Sequence, residues 1–189
     1  MKNNLEYKGF KVEINRSLRT TISLTVKQDK IIVRAPLFSS DASIETFLKK
    51  ESSWLDKKLA KFEERKNYNL PLLTKKEIKA LKEIASVVIK EKVEYYSLVL
   101  DVDYGKITIR QQKTLWGSCS SNGNLSFNCL LMLTDDEIIN YVVVHELAHR
   151  KYMNHSKEFY REIENVLPNY KVQQKWLKDN GWKFFARLG

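Results

Sequence analysis

The sequence predicts an α+β protein: a β-rich N-terminal module, then a mainly helical core carrying one small antiparallel sheet. Three features carry that prediction. Short apolar alternations crowd the stretch up to Pro36. Apolar residues at helical spacing dominate from Ser39 onward. Two further β-like runs, Lys106 to Gln111 and Leu125 to Leu133, interrupt the helical segments. A length of 189 residues suits one sizeable core or two small modules, and 43% hydrophobic with 30% charged residues excludes wholesale disorder.

Taken in order, Phe10, Val12 and Ile14 alternate, as do Ile22, Leu24 and Val26, and Ile31 to Val33 follows a Gln28-Asp29-Lys30 turn. Pro36 stops the third strand, because proline has no N–H for the ladder. Ser39-Ser40-Asp41 then opens a helix with Ile44, Phe47, Leu48, Trp54, Leu55, Leu59 and Phe62 at apolar spacing. Residues 1–66 thus form the first module, Lys66 to Leu73 (KNYNLPLL) the linker, and 74–189 the second module.

Thr74-x-x-Glu77 is a capping box for a long helix with Ile78, Leu81, Ile84, Ala85, Val88 and Ile89 on one face. The chain turns at Asp101 to Gly105, forms the strand Lys106 to Gln111, and turns again at Ser120 to Asn124. Leu125 to Leu133 follows as an apolar strand, either an exposed edge or a covered central one. Thr134-x-x-Glu137 is read as a capping box opening a helix of about 17 residues. Ser156 caps another helix ending near Pro168, and a last amphipathic helix is expected to stop at Asn180-Gly181. Trp54, Trp176 and Trp182 occupy helical apolar positions and are expected in the core.

The net charge is +10, and it is unevenly spread. Residues 1–66 hold 15 basic and 9 acidic side chains, a balance of +6, whereas residues 135–189 balance at +1. The N-terminal third is therefore a possible nucleic-acid contact, or simply a solvated face, since its charges are interleaved. Cys119 and Cys129 are too few for a disulfide framework. The first ten residues lack an apolar signal core, and no run reaches the roughly 18 apolar residues of a membrane span. A cytoplasmic protein with reduced thiols is expected.

The chemistry concentrates in Tyr141-Val142-Val143-Val144-His145-Glu146-Leu147-Ala148-His149 and in His155. The chain has only three histidines, all within this short stretch. On a helix His145 and His149 lie one turn apart, about 40° round the axis, so both imidazoles reach one ion. Glu146 falls beside them, where its carboxylate can take a proton from a metal-bound water. His155 supplies a third nitrogen and leaves a fourth position open, the arrangement of catalytic Zn2+. Three imidazoles favour zinc over iron, whose facial triad includes a carboxylate. The helix around these residues is apolar nearly all round, so its polar side chains must be ligated, paired or hydrogen-bonded.

The spacing H-E-x-x-H-x-x-x-x-x-H resembles the metzincin pattern, with Tyr152 in place of glycine and Asn154 as the residue best able to turn the chain through positive φ. The whole chain resembles the YgjP-like metallopeptidases, which are similar to SprT-like and WLM zincins. The resemblance rests on Trp116-Gly117-Ser118-Cys119-Ser120-Ser121, the histidine helix and Asn154-His155-Ser156-Lys157-Glu158-Phe159. It extends to Val33-Arg34-Ala35-Pro36 and Trp54-Leu55. Leu115, where the family has a basic residue, and Tyr160, where it has tryptophan, depart from the pattern. The resemblance implies a zincin-like core, with His145, His149 and His155 as zinc ligands and Glu146 as the catalytic residue.

The expected activity is zinc-dependent hydrolysis of peptide bonds in a protein or peptide substrate. Trp116, Asn128 and Tyr152 are candidate substrate contacts; for the Trp116 motif a cleft lining with Cys119 near the metal competes with the favoured reading, Trp116 packed in the core and Cys119 a small buried residue. The competing function is a nucleic-acid-associated protein with a zinc site, and the two readings merge in a protease acting on nucleic-acid-bound proteins. An unligated glutamate beside the first histidine speaks for catalysis, because a structural zinc site fills its four positions with ligands.

Overall fold

The computed structural model describes residues 5–27 and 30–188, and the chain divides into two units, Met1–Asn69 and Leu70–Gly189. The turn expected at Gln28 and Asp29 lies outside the described residues. In the first unit β1 (Leu5–Tyr7), β2 (Phe10–Ser17), β3 (Ser23–Lys27) and β4 (Lys30–Pro36) form a sheet ordered β1-β2-β4-β3. β2 runs parallel to β4, and β3 lies antiparallel on the other side of β4. Alternation along β4 buries Ile31, Val33 and Ala35 against α1 (Asp41–Lys50) and α2 (Ser52–Lys66), which contribute Ile44, Leu48, Leu55 and Leu59.

The single helix expected from Ser39 to Phe62 is two, bent at Glu51. Hydrogen bonds from Glu51 N to Phe47 O and from Leu55 N to Glu51 O still cross the bend. Trp54, expected in the core, is 39% exposed.

The second unit opens as its local chemistry demands. Thr74 and Glu77 form the expected capping box, and α3 (Lys75–Leu100) buries Leu81, Ala85, Ile89 and Val93 at four-residue steps. Asp101, at φ 51°, ends the helix in the left-handed region. Strands β5 (Ile107–Arg110), β6 (Gly117–Cys119) and β7 (Leu125–Asn128) form a sheet ordered β5-β7-β6. The sheet is mixed rather than purely antiparallel. β6 and β7 make the hairpin through Ser120–Asn124, so β5 meets the remaining side of β7 and runs parallel to it. β7 is therefore central, not an edge, and all four of its residues are buried.

The apolar run after Asn128 is not strand but a 3-10 helix, Cys129–Leu133. Asn128 ends the ladder by accepting from Leu130 N through its side-chain oxygen, 3.1 Å away. The next expected capping box also fails to form. Thr134 Oγ1 donates back to Leu131 O at 2.7 Å, and α4 (Asp136–Ala148) starts after Asp135 with 13 residues rather than about 17.

Ser156 caps α5 (Lys157–Val166) as expected. α6 (Tyr170–Phe185) runs straight through Gly181, whose missing side chain admits Trp116: a Cβ there would lie 3.0 Å from the indole Nε1. None of the described helices is long and apolar enough to cross a membrane.

Candidate active site

α4 is buried on nearly every side, through residues such as Ile139, Val143, Val144 and Leu147. That burial fixes the direction of the two histidines in its last turn. His145 and His149 set their ring centroids 5.1 Å apart, and the chain returns to bring His155 within 5.1 Å of the first and 4.8 Å of the second. One nitrogen from each ring falls within 4.8 Å of the others. His145 Nε2 and His155 Nε2 are 3.1 Å apart. The return uses no positive φ, so Asn154 does not turn the chain as expected; Lys151 N and Tyr152 N instead both donate to Ala148 O.

Phe159 organises the cluster. Fully buried on α5, its ring lies 5.0, 4.6 and 4.8 Å from those of His145, His149 and His155. Tyr160, the departure from the family pattern, stacks on His155 at 6.1 Å and on Tyr170, which stacks in turn on Tyr141.

The donor set suits a metal ion. His149 Nδ1 lies 3.0 Å from Tyr152 O, so Nδ1 carries the proton and Nε2 keeps a free lone pair. Tyr152 thus touches the site through its backbone carbonyl, which holds His149. Burial, then the neighbouring histidines, lowers the His145 pKa to about 3 and keeps its imidazole neutral, the form that ligates metals. Burial also lowers that of His149.

Glu146 is 6% exposed, and burial raises its carboxyl to about 8. It faces Gly117 on β6, where a Cβ would lie 2.7 Å from Glu146 Oε1. Trp116 O accepts from Asn128 N, and Ser120 N donates to Asn124 O. By antiparallel alternation the backbone groups of Gly117 and Cys119 therefore point to the open edge of β6.

Trp116 is part packing residue and part cavity wall. Its indole packs on Phe184 and Phe185 of α6, and it also lines a cavity of about 210 Å3 shared with Glu146 and His145. Asn128, expected to touch substrate, is fully buried. Its amide donates to Gln112 O and Leu115 O, leaving nothing to offer a ligand. Leu115, the other family departure, serves Asn128 through that carbonyl while its side chain is exposed.

Burial, then the Glu146 charge, raises the Cys119 thiol, which is the opposite of an activated nucleophile. Just after His149, Arg150 donates to Asp103 O, Asp103 Oδ1 and Ser121 O, joining the histidine loop to the β6–β7 turn. In the first unit, Lys8, Arg16 and Lys30 pair with Asp56, Asp41 and Glu13, which leaves the balance of +6 over residues 1–66 unchanged.

Sequence reading missed Gly117, Phe159 and the α6 wall, Gln174 with Leu177. Only the family motif around Trp116 and Phe159 hinted at the first two.

A family comparison matches residues 20–79 and 66–180 to the model described as YgjP-like, metallopeptidase domain. Among solved structures, the metallopeptidase zymogen of Pyrococcus abyssi abylysin is 26% identical over 48% of this chain and 92% of its own, with a TM-score of 0.44. That of Methanocaldococcus jannaschii jannalysin is 27% identical over 48% and 91%, with a TM-score of 0.42. No curated protein sequence matches.

Proposed function

The chain belongs to the YgjP-like metallopeptidase family, and from that premise we propose that it is a zinc peptidase in which Glu146 does the proton transfer. The family makes it a metal-dependent hydrolase of peptide or protein substrates. The observation that carries the finer reading is the convergence of three imidazole nitrogens within 4.8 Å beside a buried glutamate. His145, His149 and His155 would hold zinc, which when bound supplies Lewis-acid polarisation of the scissile carbonyl.

Glu146 takes the proton of the attacking water and returns it to the departing amine. Its apolar surroundings suit that task, since they hold the carboxyl near neutral pH when nothing else pairs with it. An extended peptide adds to the open edge of β6, bonding the backbone groups of Gly117 and Cys119 next to Glu146. β6 thereby replaces the buried β7 as the strand that aligns substrate, and backbone pairing favours unfolded segments over one fixed sequence.

Glu146→Gln tests the proposal. The variant should keep one zinc per chain yet lose about 10²–10⁴-fold in hydrolysis of an unfolded protein. Retained activity with zinc bound would reject Glu146 as the base.

A further inference from the structure

The charges of α2 are mixed along the sequence, but the helix sorts them by side. At about 100° per residue, Lys57, Lys58, Lys61 and Arg65 fall within about 60° of Trp54. Asp56 and Glu63 fall about 160–180° away, and Glu64 borders the stripe at about 80°. Asp56 is also engaged on its own side, because Tyr7 Oη and Lys8 Nζ both donate to its carboxylate. Trp54 and the four cations are all exposed, and Lys58 Nζ lies 5.8 Å from the centre of the Trp54 ring. Lys61 and Arg65 make further interactions within the chain. At exposed positions such contacts are weak and exchange for a stronger anion.

Three properties narrow the partner. The stripe runs about 16 Å from Trp54 to Arg65, a length that fits a linear polyanion rather than one small anion. Leu55 and Leu59, the apolar side of α2, are buried in the core of the first unit. The helix therefore has no apolar face left to sink into a bilayer. The exposed indole offers a flat π-face, which an unpaired base can stack on and the paired bases of a duplex cannot.

We propose that this side of α2 docks single-stranded nucleic acid, with Lys57, Lys58, Lys61 and Arg65 on its phosphates and one base stacked on Trp54. Phosphate contacts and stacking carry little sequence information, so RNA and DNA strands should bind alike. The inference concerns the first unit alone and stands or falls apart from the peptidase reading.

The test titrates the full chain against fluorescein-labelled oligo(dT) and oligo(U) of about 15 nucleotides, each long enough to span the stripe, with anisotropy as the readout. Four phosphate contacts on a single strand predict an affinity loss of about 50-fold between about 50 and 200 mM salt. Trp54→Ala should weaken binding about 5–100-fold, and Trp54→Phe less. The emission quenching that a stacked base causes should disappear in both. Changing Lys57, Lys61 and Arg65 together to Gln should cut the salt slope to about a quarter. The charge-matched control changes Lys11, Lys27 and Arg34 to Gln, three residues exposed on the sheet face away from the helices. It should leave affinity within about twofold, since charges beyond a Debye length are screened. Equal weakening by the two triple variants, unchanged binding in Trp54→Ala, or no binding at about 50 mM salt would overturn the inference. Tighter binding to a blunt duplex, to a poly-glutamate peptide or to phosphatidylserine-containing vesicles would also overturn it, and would assign the stripe to that partner instead.

Discussion

A methyl group on Gly117 would lie 2.7 Å from Oε1 of Glu146 and 2.8 Å from its Cγ. The glycine is required by this close approach, since Gly117 is not among the positive-φ glycines. Gly117→Ala should push the carboxylate aside without touching a histidine. Displacement of a catalytic group by about 1 Å costs on the order of 10²-fold. Hydrolysis should fall by about that much with zinc content unchanged, and the same substitution should add nothing in the Glu146→Gln background. Full activity in Gly117→Ala would show that Glu146 has room to spare.

Removing any one of His145, His149 or His155 should release the metal. Elemental analysis after dialysis should find each alanine variant well below one zinc per chain. A His155→Ala protein that kept its zinc at unchanged affinity would remove the third histidine from the ligand set.

Phe159 stands behind all three rings, so Phe159→Ala should act on fold and site together. Emptying a fully buried aromatic position costs about 3–5 kcal/mol. Denaturant melts should register that loss, and zinc affinity should drop because the imidazoles lose their common support. Phe159→Leu should recover much of the stability and less of the affinity.

Gly181→Val should be destabilising although glycine is a poor helix former. A Cβ at 181 already meets the Trp116 indole at 3.0 Å, and valine adds two methyl groups. Overpacking of this kind costs about 1–3 kcal/mol, more than the helix-propensity gain of a few tenths. A shifted Trp emission maximum should accompany the lower melting midpoint.

Lys92 on α3 bonds both Asp136 and Asn140 at 2.7 Å, pinning the start of α4. The hydrogen bond from Lys92 holds the Asp136 carboxyl below its usual range. A depressed carboxyl stabilises the fold above its unfolded pKa, near 3.9, and the contribution fades as pH falls through the lower folded value. Asp136 is largely exposed, so the pair is worth no more than about 1 kcal/mol. Lys92→Met should melt earlier than wild type at pH 7, with the charge-dependent part of the gap shrinking below about pH 4.

What could be read in advance was chemistry local to a turn of helix. Thr74 with Glu77, Ser156 with Phe159 N, and His145 with His149 all act across three or four residues, a distance fixed by helix geometry. Thr134 defeats the same logic because its hydroxyl bonds backward to Leu131, inside an apolar run whose lack of period hid a 3-10 turn. Gly117, Gly181 and Phe159 matter through side chains distant in sequence or across an element boundary, which no periodicity encodes. Periodicity leaves the strand at Leu125 open between edge and centre for a related reason, since the strand that forms the edge, β6, lies in the short Trp116 to Ser121 motif, which has no apolar alternation.

Arg150 makes the histidine loop and the β6–β7 turn one mechanical part. Its guanidinium lies over Gly123, where a Cβ would lie 2.8 Å from Cζ, and reaches the carbonyls of Asp103 and Ser121. On the proposed reading, a peptide that pulled on the hairpin would also load the segment leading to His155, so grip on substrate and grip on metal would be strained or relaxed together.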